Sequence, residues 1–277
     1  MRKITRWPET PAPTGTGDAV VVVTVNHNTR PLVALLLYSL RQVLDWPSLH
    51  EIVVVDNGST DGSRELLADL ADAGSCTLLA NDENRYHGPA LNQALSYLAS
   101  RAVATGPPDW VWILDSDCVV GRPDVLRESL VAARERRAAL VGEYQPDPWH
   151  GVDRFGLHCL LLDPARVWRD PVATFTPDGD PSFELLQTAG RAGVVSAPFP
   201  FLADGHVIHR GRGTLAHVAT SGDRSNPFYE WAAEHHEPHF GGIAGAAQRY
   251  EALVAQFRAR VPGLTSAELI RACLDAP

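Results

Sequence analysis

This sequence of 277 residues has few of the features that mark membrane-spanning or secreted proteins. No apolar run approaches the roughly 18 uncharged residues that a membrane-spanning helix needs, which argues against a transmembrane protein. The basic start of the chain continues into Pro, Thr and Gly rather than an apolar segment, so we expect no secretory signal. The four cysteines have no C-x-x-C spacing, and this pattern indicates a reduced, cytoplasmic compartment.

Positive charge is also in short supply. The chain has 24 Lys and Arg residues against 33 Asp and Glu residues, which gives a formal net charge of −9. A general nucleic-acid binder needs a cationic surface to displace counterions from phosphates, so this balance argues against one. The same balance raises the question of how the protein would hold a smaller anionic ligand.

The first half of the chain alternates between two patterns. Short β-branched runs predict buried strands at residues 19–25, 52–55, 76–80 and 110–114. Between them, helical spacing of apolar residues predicts helices at 32–43, 64–70 and 90–102. This rhythm predicts an α/β fold with a mainly parallel sheet flanked by helices. Ligands of such sheets bind at the carboxyl ends of the strands.

The second half is less regular and predicts a mixed extension of the sheet followed by helices. We expect a flexible arm over residues 1–17 and one domain over 18–220, made of a ligand-binding half (18–120) and a second half (121–220). Residues 221–277 would form a polar, aromatic lid loop and a C-terminal helical extension. In the second half, strands are predicted at 139–142, 157–162, 194–197 and 206–209, and a helix at 183–192.

Polar residues follow all four strands of the first half, at 26–28, 56–62, 81–88 and 115–117. Single turns of this composition are common, but four at one sheet edge indicate a ligand cleft. The clearest of them is the D-x-D sequence Asp115-Ser116-Asp117, which ends a buried apolar strand. Its carboxylates suit a hard divalent cation such as Mg²⁺ or Mn²⁺.

Four segments together resemble a known family. They are residues 22–26, the V-V-D-N-G-S-T-D-G-S string at 54–63, the Asn84…Gly88…Asn92 segment, and W-I-L-D-S-D at 112–117. In this order they resemble the nucleotide-sugar-binding half of family-2 glycosyltransferases, which have the GT-A fold. The resemblance implies a nucleotide-diphosphate sugar donor (a UDP, dTDP or GDP sugar), a divalent metal (Mg²⁺ or Mn²⁺) and glycosyl transfer to a hydroxyl group.

The resemblance also implies roles for individual residues. Asp56 would hydrogen-bond the nucleobase, and Asp117 would bind the metal. The other donor-binding residues would be Thr24 and Asn26 beside the base and ribose, Asn84, Arg85 and Asn92 near the donor, and Asp115 with Ser116 at the ribose or sugar. Arg85 could pair with phosphate oxygens.

A histidine from the second half is expected to complete the metal site. The family carries one in a short strand before a glycine-containing loop, and the sequence offers His206 and His209 followed by R-G-R-G-T. Strand alternation puts the two on opposite faces, so only one should reach the metal, and His209 is favoured. Arg212 in the following loop would contact the diphosphate.

The catalytic base is where the sequence departs from the family pattern. Ser182 occupies the usual position of the base, and acids lie two residues away on both sides, at Asp180 and Glu184. Asp180 is favoured because it precedes the predicted helix. Glu184 would lie in the first turn, where a carboxylate also interacts favourably with the helix dipole.

Other functions remain open from the sequence. A retaining transferase of the same fold would need no base at this position. A sugar-phosphate nucleotidyltransferase would carry a glycine-rich loop after the first strand, but residues 26–30 contain no glycine. A non-catalytic sugar-nucleotide binding module is the fourth possibility. For the transferase, we expect a small-molecule or glycan acceptor, no nucleic-acid partner and, as one option, a homodimer.

Overall fold

A computed structural model describes residues 18–145, 154–168, 175–176 and 181–209. Its main sheet has seven strands in the order β3-β2-β1-β4-β7-β6-β8. The strands of this sheet are β1 (Val20–Asn26), β2 (Leu49–Asn57), β3 (Thr77–Asn81), β4 (Trp110–Leu114), β6 (Leu140–Gln145), β7 (Arg154–Leu162) and β8 (Ser196–Pro198). A second, two-stranded sheet pairs β5 (Cys118–Val120) with β9 (Val207–His209).

Six helices accompany these strands within the described residues. They are α1 (Arg30–Gln42), α2 (Ser63–Asp72), α3 (His87–Thr105), α4 (Val125–Arg136), α5 (Pro164–Val167) and α6 (Phe183–Arg191). None of them combines the length and apolarity that crossing a bilayer requires.

The first four strands of the main sheet confirm the predicted parallel α/β arrangement. β1 pairs in parallel with both β2 and β4, and β2 pairs in parallel with β3. β7 is antiparallel to its neighbours β4 and β6, and β8 is parallel to β6. The predicted mixed extension of the sheet is therefore present, with β7 as its one reversed strand.

Alternate residues of the central strands face two hydrophobic cores. Val20 and Val22 pack with apolar residues of α1, α2 and α4, while Val21 and Val23 pack with those of α3 and α6. Strand side chains alternate between faces, so an uninterrupted apolar run is the pattern expected of a strand covered on both sides. This double burial fixes the strand ends, and with them the polar loops that follow.

The structure also departs from the sequence prediction in the second half. The prediction missed α4, β5 and the short α5. The strand containing His209 pairs with β5 in the separate small sheet, rather than extending the main one. The predicted arm (1–17), lid loop (221–242) and C-terminal helices lie outside the described residues.

Candidate active site

The D-x-D sequence forms a tight turn between β4 and β5. The backbone N–H of Cys118 donates to the carbonyl oxygen of Asp115 at 3.0 Å, which closes the turn. The N–H of Asp115 donates to the carbonyl of His158 on the neighbouring strand β7, also at 3.0 Å. The turn is therefore fixed on both sides, and its two carboxylates lie at the carboxyl edge of the sheet.

The small sheet brings His209 to this turn. β9 runs antiparallel to β5 with His209 opposite Cys118, one residue from Asp117. The Nε2 atom of His209 lies 3.2 Å from Oδ1 of Asp117 and 3.7 Å from Oδ2 of Asp115. Three residues singled out in the sequence thus meet, although 92 positions separate Asp117 from His209 (209 − 117).

The structure does not bring His206 into this cluster. Its side chain is buried, with Nε2 3.4 Å from Oε2 of Glu128 on α4, and its ring packs against Phe199. The expectation that only one of the two histidines reaches the carboxylates agrees with this placement, and the residue that does so is His209.

Cys118 lies close enough to count as a third possible metal ligand. Ligand atoms of Asp117, Cys118 and His209 all lie within 4.8 Å of one another. Complete burial, reinforced by the nearby Asp117 and Asp115, raises the pKa of the Cys118 thiol well above its usual range. The thiol instead donates a hydrogen bond to the carbonyl of His158 at 3.2 Å. The ligands that suit a hard divalent cation at this place are the carboxylate oxygens and the imidazole nitrogen.

This donor set fits a divalent cation. Oδ1 of Asp115 is buried and has no hydrogen-bond partner among the described residues. A buried carboxylate oxygen without a partner is costly, and a cation beside it removes that cost. Carboxylate oxygens are the preferred ligands of Mg²⁺ and Mn²⁺, and imidazole is a common ligand of transition metals.

His158 on β7 packs against His209, a member of the cluster. Its ring stacks on that of His209, with centroids 4.5 Å apart and planes 7° from parallel. Burial, followed by the neighbouring His209, lowers the pKa of His158 to about 4. The amide nitrogen of Gln145 lies 3.3 Å from Nε2 of His158 and can only donate, which requires a neutral acceptor ring.

His87 approaches the cluster from the other side. It is the first residue of α3, and its Nε2 lies 3.6 Å from Oδ1 of Asp115. Asp115 thus stands between two histidines. Nothing in the sequence decided a role for His87 or His158, although His87 lies inside the Asn84…Asn92 segment that carried the family resemblance.

The ends of β1 and β2 are joined by a buried polar network. Asn26 donates from Nδ2 to Oδ1 of Asp56 and to the hydroxyl of Ser59, both at 3.0 Å. The other Asp56 oxygen accepts from the Ser59 backbone N–H at 3.1 Å. Asn26 and Asp56 are both fully buried. Here they hold the loop after β2, and a direct nucleobase contact by Asp56 stays a prediction.

Hydroxyl groups connect this network to the D-x-D turn. The hydroxyl of Thr29 donates to Oδ1 of Asn26 at 2.7 Å. Because a hydroxyl has only one proton to donate, Ser116 is the donor in the 3.0 Å hydrogen bond between the Ser116 and Thr29 hydroxyls. These hydrogen bonds of Ser116 and Thr29 position the turn relative to β1. On the same strand as Asn26, the hydroxyl of Thr24 is buried and has no hydrogen-bond partner among the described residues.

Asn57 organises the loop after β3. Its Oδ1 accepts from the backbone N–H of Arg85 at 3.0 Å, and its Nδ2 donates to Oδ1 of Asn84 at 2.9 Å. Asn84 in turn accepts from the N–H of Tyr86 at 2.9 Å. The Arg85 side chain is exposed at this edge, so a phosphate contact remains a prediction for it.

Asn92 has a different set of contacts from those expected of a donor-binding residue. Its amide exchanges two hydrogen bonds with the backbone of Phe175, donating at 2.8 Å and accepting at 3.0 Å. One helical turn earlier, a Cβ at Gly88 would lie 1.9 Å from the carbonyl oxygen of Thr176. Asn92 and Gly88 therefore form a docking platform for residues 175–176, and the structure does not bring Asn92 into the cluster.

Of the two candidate bases, Glu184 lies within the described residues and Asp180 does not. Arg212 lies outside them as well. The flanks of Asp180 are described: the N–H of Thr176 donates to the carbonyl of Pro181 at 3.1 Å. Glu184 is exposed in the first turn of α6, after the buried Ser182.

The mainly parallel seven-stranded sheet flanked by helices has a GT-A type fold, which its similarity to solved structures shows. A mannosyltransferase from Pyrobaculum calidifontis, solved with GDP-mannose and Mn²⁺, is similar over 96% of this chain and 81% of its own, with a TM-score of 0.52 and 20% identity. TarS from Staphylococcus aureus is similar over 92% of this chain and 89% of the solved one, with a TM-score of 0.50 and 15% identity. No curated protein sequence matches the chain significantly.

The family follows from the sequence of the domain itself. Residues 20–157, about half of the chain, match the family described as Glycosyl transferase family 2. Through this domain the chain belongs to glycosyltransferase family 2.

Proposed function

We propose that this protein is a metal-dependent transferase that moves a sugar from a nucleotide-diphosphate sugar to an acceptor hydroxyl. The observation that carries the proposal is the meeting of Asp117 and His209, 3.2 Å apart, beside Asp115 at the carboxyl edge of the sheet. Membership of glycosyltransferase family 2 supports it. The Mn²⁺ and GDP-mannose of the Pyrobaculum mannosyltransferase are consistent with it.

Asp117 and His209 are the residues that would hold Mg²⁺ or Mn²⁺. Such a cation would neutralise the negative charge that develops on the diphosphate as its bond to the sugar breaks. His158 keeps the His209 ring oriented through the parallel stack, and the Asp115–Cys118 hydrogen bond keeps the turn closed. The ligands are therefore preorganised by contacts from β5, β7 and β9.

The donor would lie along the loops that end β1, β2, β3 and β4. The proposed binding residues lie at the ends of these strands, with Arg85 exposed to solvent and Asn26 and Asp56 buried in the walls. They also include Thr24, Asn84, Asp115, Ser116 and Arg212, whereas the Asn92 amide is engaged with Phe175. A UDP, dTDP or GDP sugar is proposed, and a small molecule or a glycan would supply the acceptor hydroxyl.

Asp180 is proposed as the base of an inverting reaction. Its described neighbours Thr176 and Pro181 are hydrogen-bonded to each other, and residues 175–176 dock on the first turns of α3, which begins at His87. The chain on both sides of Asp180 is therefore tied to the helix that borders the carboxylate cluster. Glu184 is the alternative base, and a retaining reaction is the alternative mechanism.

The experiment that tests this function is nucleotide binding measured by calorimetry with UDP, GDP and dTDP, in the presence of Mn²⁺ and in EDTA. The wild-type protein should bind at least one of them, and removal of the metal should weaken binding at least ten-fold, about 1.4 kcal/mol. Asp117→Asn keeps the size of the side chain and should reproduce the loss in Mn²⁺. Binding that is equally tight in EDTA and in Asp117→Asn would contradict the metal assignment.

A further inference from the structure

Strand β9, which carries His209, is too short to hold its own position. It has three residues and pairs with the equally short β5 in a sheet separate from the main one. A pair of strands of this size is marginally stable in isolation. A metal ligand, in contrast, has to be held within about 0.5 Å of its working position. Contacts from outside the small sheet must therefore fix β9.

His206, the residue before β9, makes such contacts. Its backbone carbonyl accepts from the N–H groups of Gly121 and Arg122, at 2.9 and 3.3 Å, which continues the pairing past the end of β5. Its side chain is 2% exposed, and the ring packs against Phe199 with centroids 4.8 Å apart. The Nδ1 atom is buried and has no hydrogen-bond partner within the described part of the chain. Nε2 is therefore the atom through which the ring makes a polar contact.

Glu128 on α4 provides that contact and joins His206 to Arg122. Its Oε2 lies 3.4 Å from Nε2 of His206, and its Oε1 accepts from Nη2 of Arg122 at 3.1 Å. Arg122 is held in turn by Asp124, which accepts two hydrogen bonds from the guanidinium at 3.2 and 3.0 Å. The Glu128 carboxylate thereby attaches the residues that follow β5 and precede β9 to the first turn of α4.

The burial of His206 is what gives this link its importance. An ion pair between two exposed side chains contributes little to stability. The Glu128 side chain is 43% exposed, but the imidazole that it contacts is buried. Without the carboxylate, a buried ring nitrogen would lose its polar contact, which is costly, so the segment that carries the ring is expected to shift. That segment continues directly into β9.

We propose that Glu128 is a positioning residue for the metal site, which acts through His206 to hold β9 and His209 against Asp117. The inference rests on the proposed function, because His209 is a proposed metal ligand. Residues 206 to 209 are extended and span about 10 Å, so a displacement of His206 is carried along the strand. It would change the 3.2 Å separation between Nε2 of His209 and Oδ1 of Asp117. Glu128 itself touches neither metal nor donor in this proposal.

Two substitutions remove the link in different ways. Glu128→Gln keeps the size of the side chain but has one acceptor oxygen instead of two, so it cannot serve both Arg122 and His206. Glu128→Asp keeps the charge but is one methylene shorter. The position is partly exposed, so neither variant leaves a buried cavity. The control Glu135→Gln removes the same charge from an exposed position of α4.

The first measurement is the affinity for Mn²⁺, titrated calorimetrically into protein saturated with whichever of UDP, GDP and dTDP the wild type binds. Contacts that orient a metal ligand typically contribute 10- to 100-fold to metal affinity. Both Glu128 variants should therefore bind Mn²⁺ about ten-fold more weakly, whereas Glu135→Gln should bind it like the wild type. Any nucleotide affinity that remains in EDTA should be the same in all four proteins.

The second measurement is amide hydrogen exchange in EDTA, which needs no metal. Amides of β5 and β9 should exchange faster in both Glu128 variants than in the wild type, while those of β1 and β2 stay unchanged. A general loss of stability would speed exchange in β1 and β2 as well. The comparison therefore separates a displaced strand from a less stable fold.

Separate results would overturn this inference and the proposed function. If the wild type needs Mn²⁺ and both Glu128 variants bind it as tightly, Glu128 is not a positioning residue while the proposed function stands. The inference is also wrong if only Glu128→Gln weakens binding, because the charge rather than the contact would then be responsible. If the wild type binds nucleotide equally well in Mn²⁺ and in EDTA, the metal-dependent function fails and this inference fails with it.

Discussion

At the scale of single residues, His158 shows how a buried ring supports a proposed metal ligand, His209. A Cβ at Gly156 would lie 2.2 Å from Cε1 of His158, so glycine makes the space for the ring. The ring is then enclosed by Gln145 on one side and His209 on the other. Burial in this position excludes the proton and keeps His158 neutral at physiological pH.

This neutral ring should make the metal-free protein sensitive to mild acid. The pKa of His158 is about 4 in the folded chain, against about 6.5 for an unfolded histidine. Below pH 6.5 the unfolded state gains a proton that the folded state excludes, so the free energy of unfolding should fall between about pH 6.5 and 4. The full loss is about 3 kcal/mol from this group.

Urea unfolding at several pH values in EDTA measures this effect. His158→Phe keeps a flat ring for the stack and removes the titration, so the difference in stability between wild type and variant should shift with pH across that window. Parallel pH profiles for the two proteins would show that His158 does not carry the predicted titration.

Only part of this residue-level picture could be predicted from the sequence. The meeting of Asp117 and His209 followed from the D-x-D sequence and from the family resemblance of the 206–214 segment. The contacts of His87 and His158 could not be predicted, because they join α3 and β7 to a turn that is distant in sequence. Nothing in the local pattern of either histidine distinguishes it from an ordinary core or loop residue.

At the scale of elements, the spacing of Gly88 and Asn92 is the clearest example of sequence dictating packing. Residues four apart lie on the same face of a helix. Because Gly88 has no side chain, another segment of backbone can approach α3 closely there, and the Asn92 amide can form hydrogen bonds with that segment. Residues 175–176 are that segment. The segment that leads to Asp180 is thereby attached to α3.

Gly88→Ala should damage this attachment. The added Cβ would lie 1.9 Å from the backbone oxygen of Thr176, which has to move, and such overpacking costs about 1–3 kcal/mol. We expect lower stability in urea unfolding, together with slower sugar transfer.

The matched control is Gly190→Ala in α6, where the new Cβ would meet no atom within 4 Å. Alanine in a helix is favoured over glycine by about 0.5–1 kcal/mol, so this variant should be as stable as the wild type or more so. If Gly88→Ala were as stable as the wild type, residues 175–176 would not pack closely against Gly88.

The elements of the first half were predictable because buried parallel strands leave a continuous apolar signature. The second half contained weaker signals. Helix α4 does carry Leu126, Leu130 and Ala133 on one face, a spacing that could have revealed it. Strand β5 has only three residues and pairs with β9, so its existence depends on a partner far along the chain.

At the scale of the whole molecule, the net charge of −9 is compatible with an anionic ligand once charge is considered locally. The carboxylates of Asp115 and Asp117 are concentrated at one edge of the sheet, where a divalent cation can reverse the local sign and receive a diphosphate. Net charge describes affinity for extended polyanions and says little about a single nucleotide. The GT-A fold supplies the edge, and the D-x-D turn supplies the charge.

The most direct test of this account is a turnover assay with a panel of UDP, dTDP and GDP sugars and candidate acceptors, in which the released nucleotide is identified. The account predicts release of a nucleoside diphosphate from at least one donor, with loss of the reaction in EDTA, recovery on adding Mn²⁺ and no recovery in Asp117→Asn. Product formation that is unaffected by EDTA would contradict the metal-dependent mechanism. Formation of pyrophosphate from a nucleoside triphosphate and a sugar phosphate, without any release from the donor panel, would contradict glycosyl transfer itself.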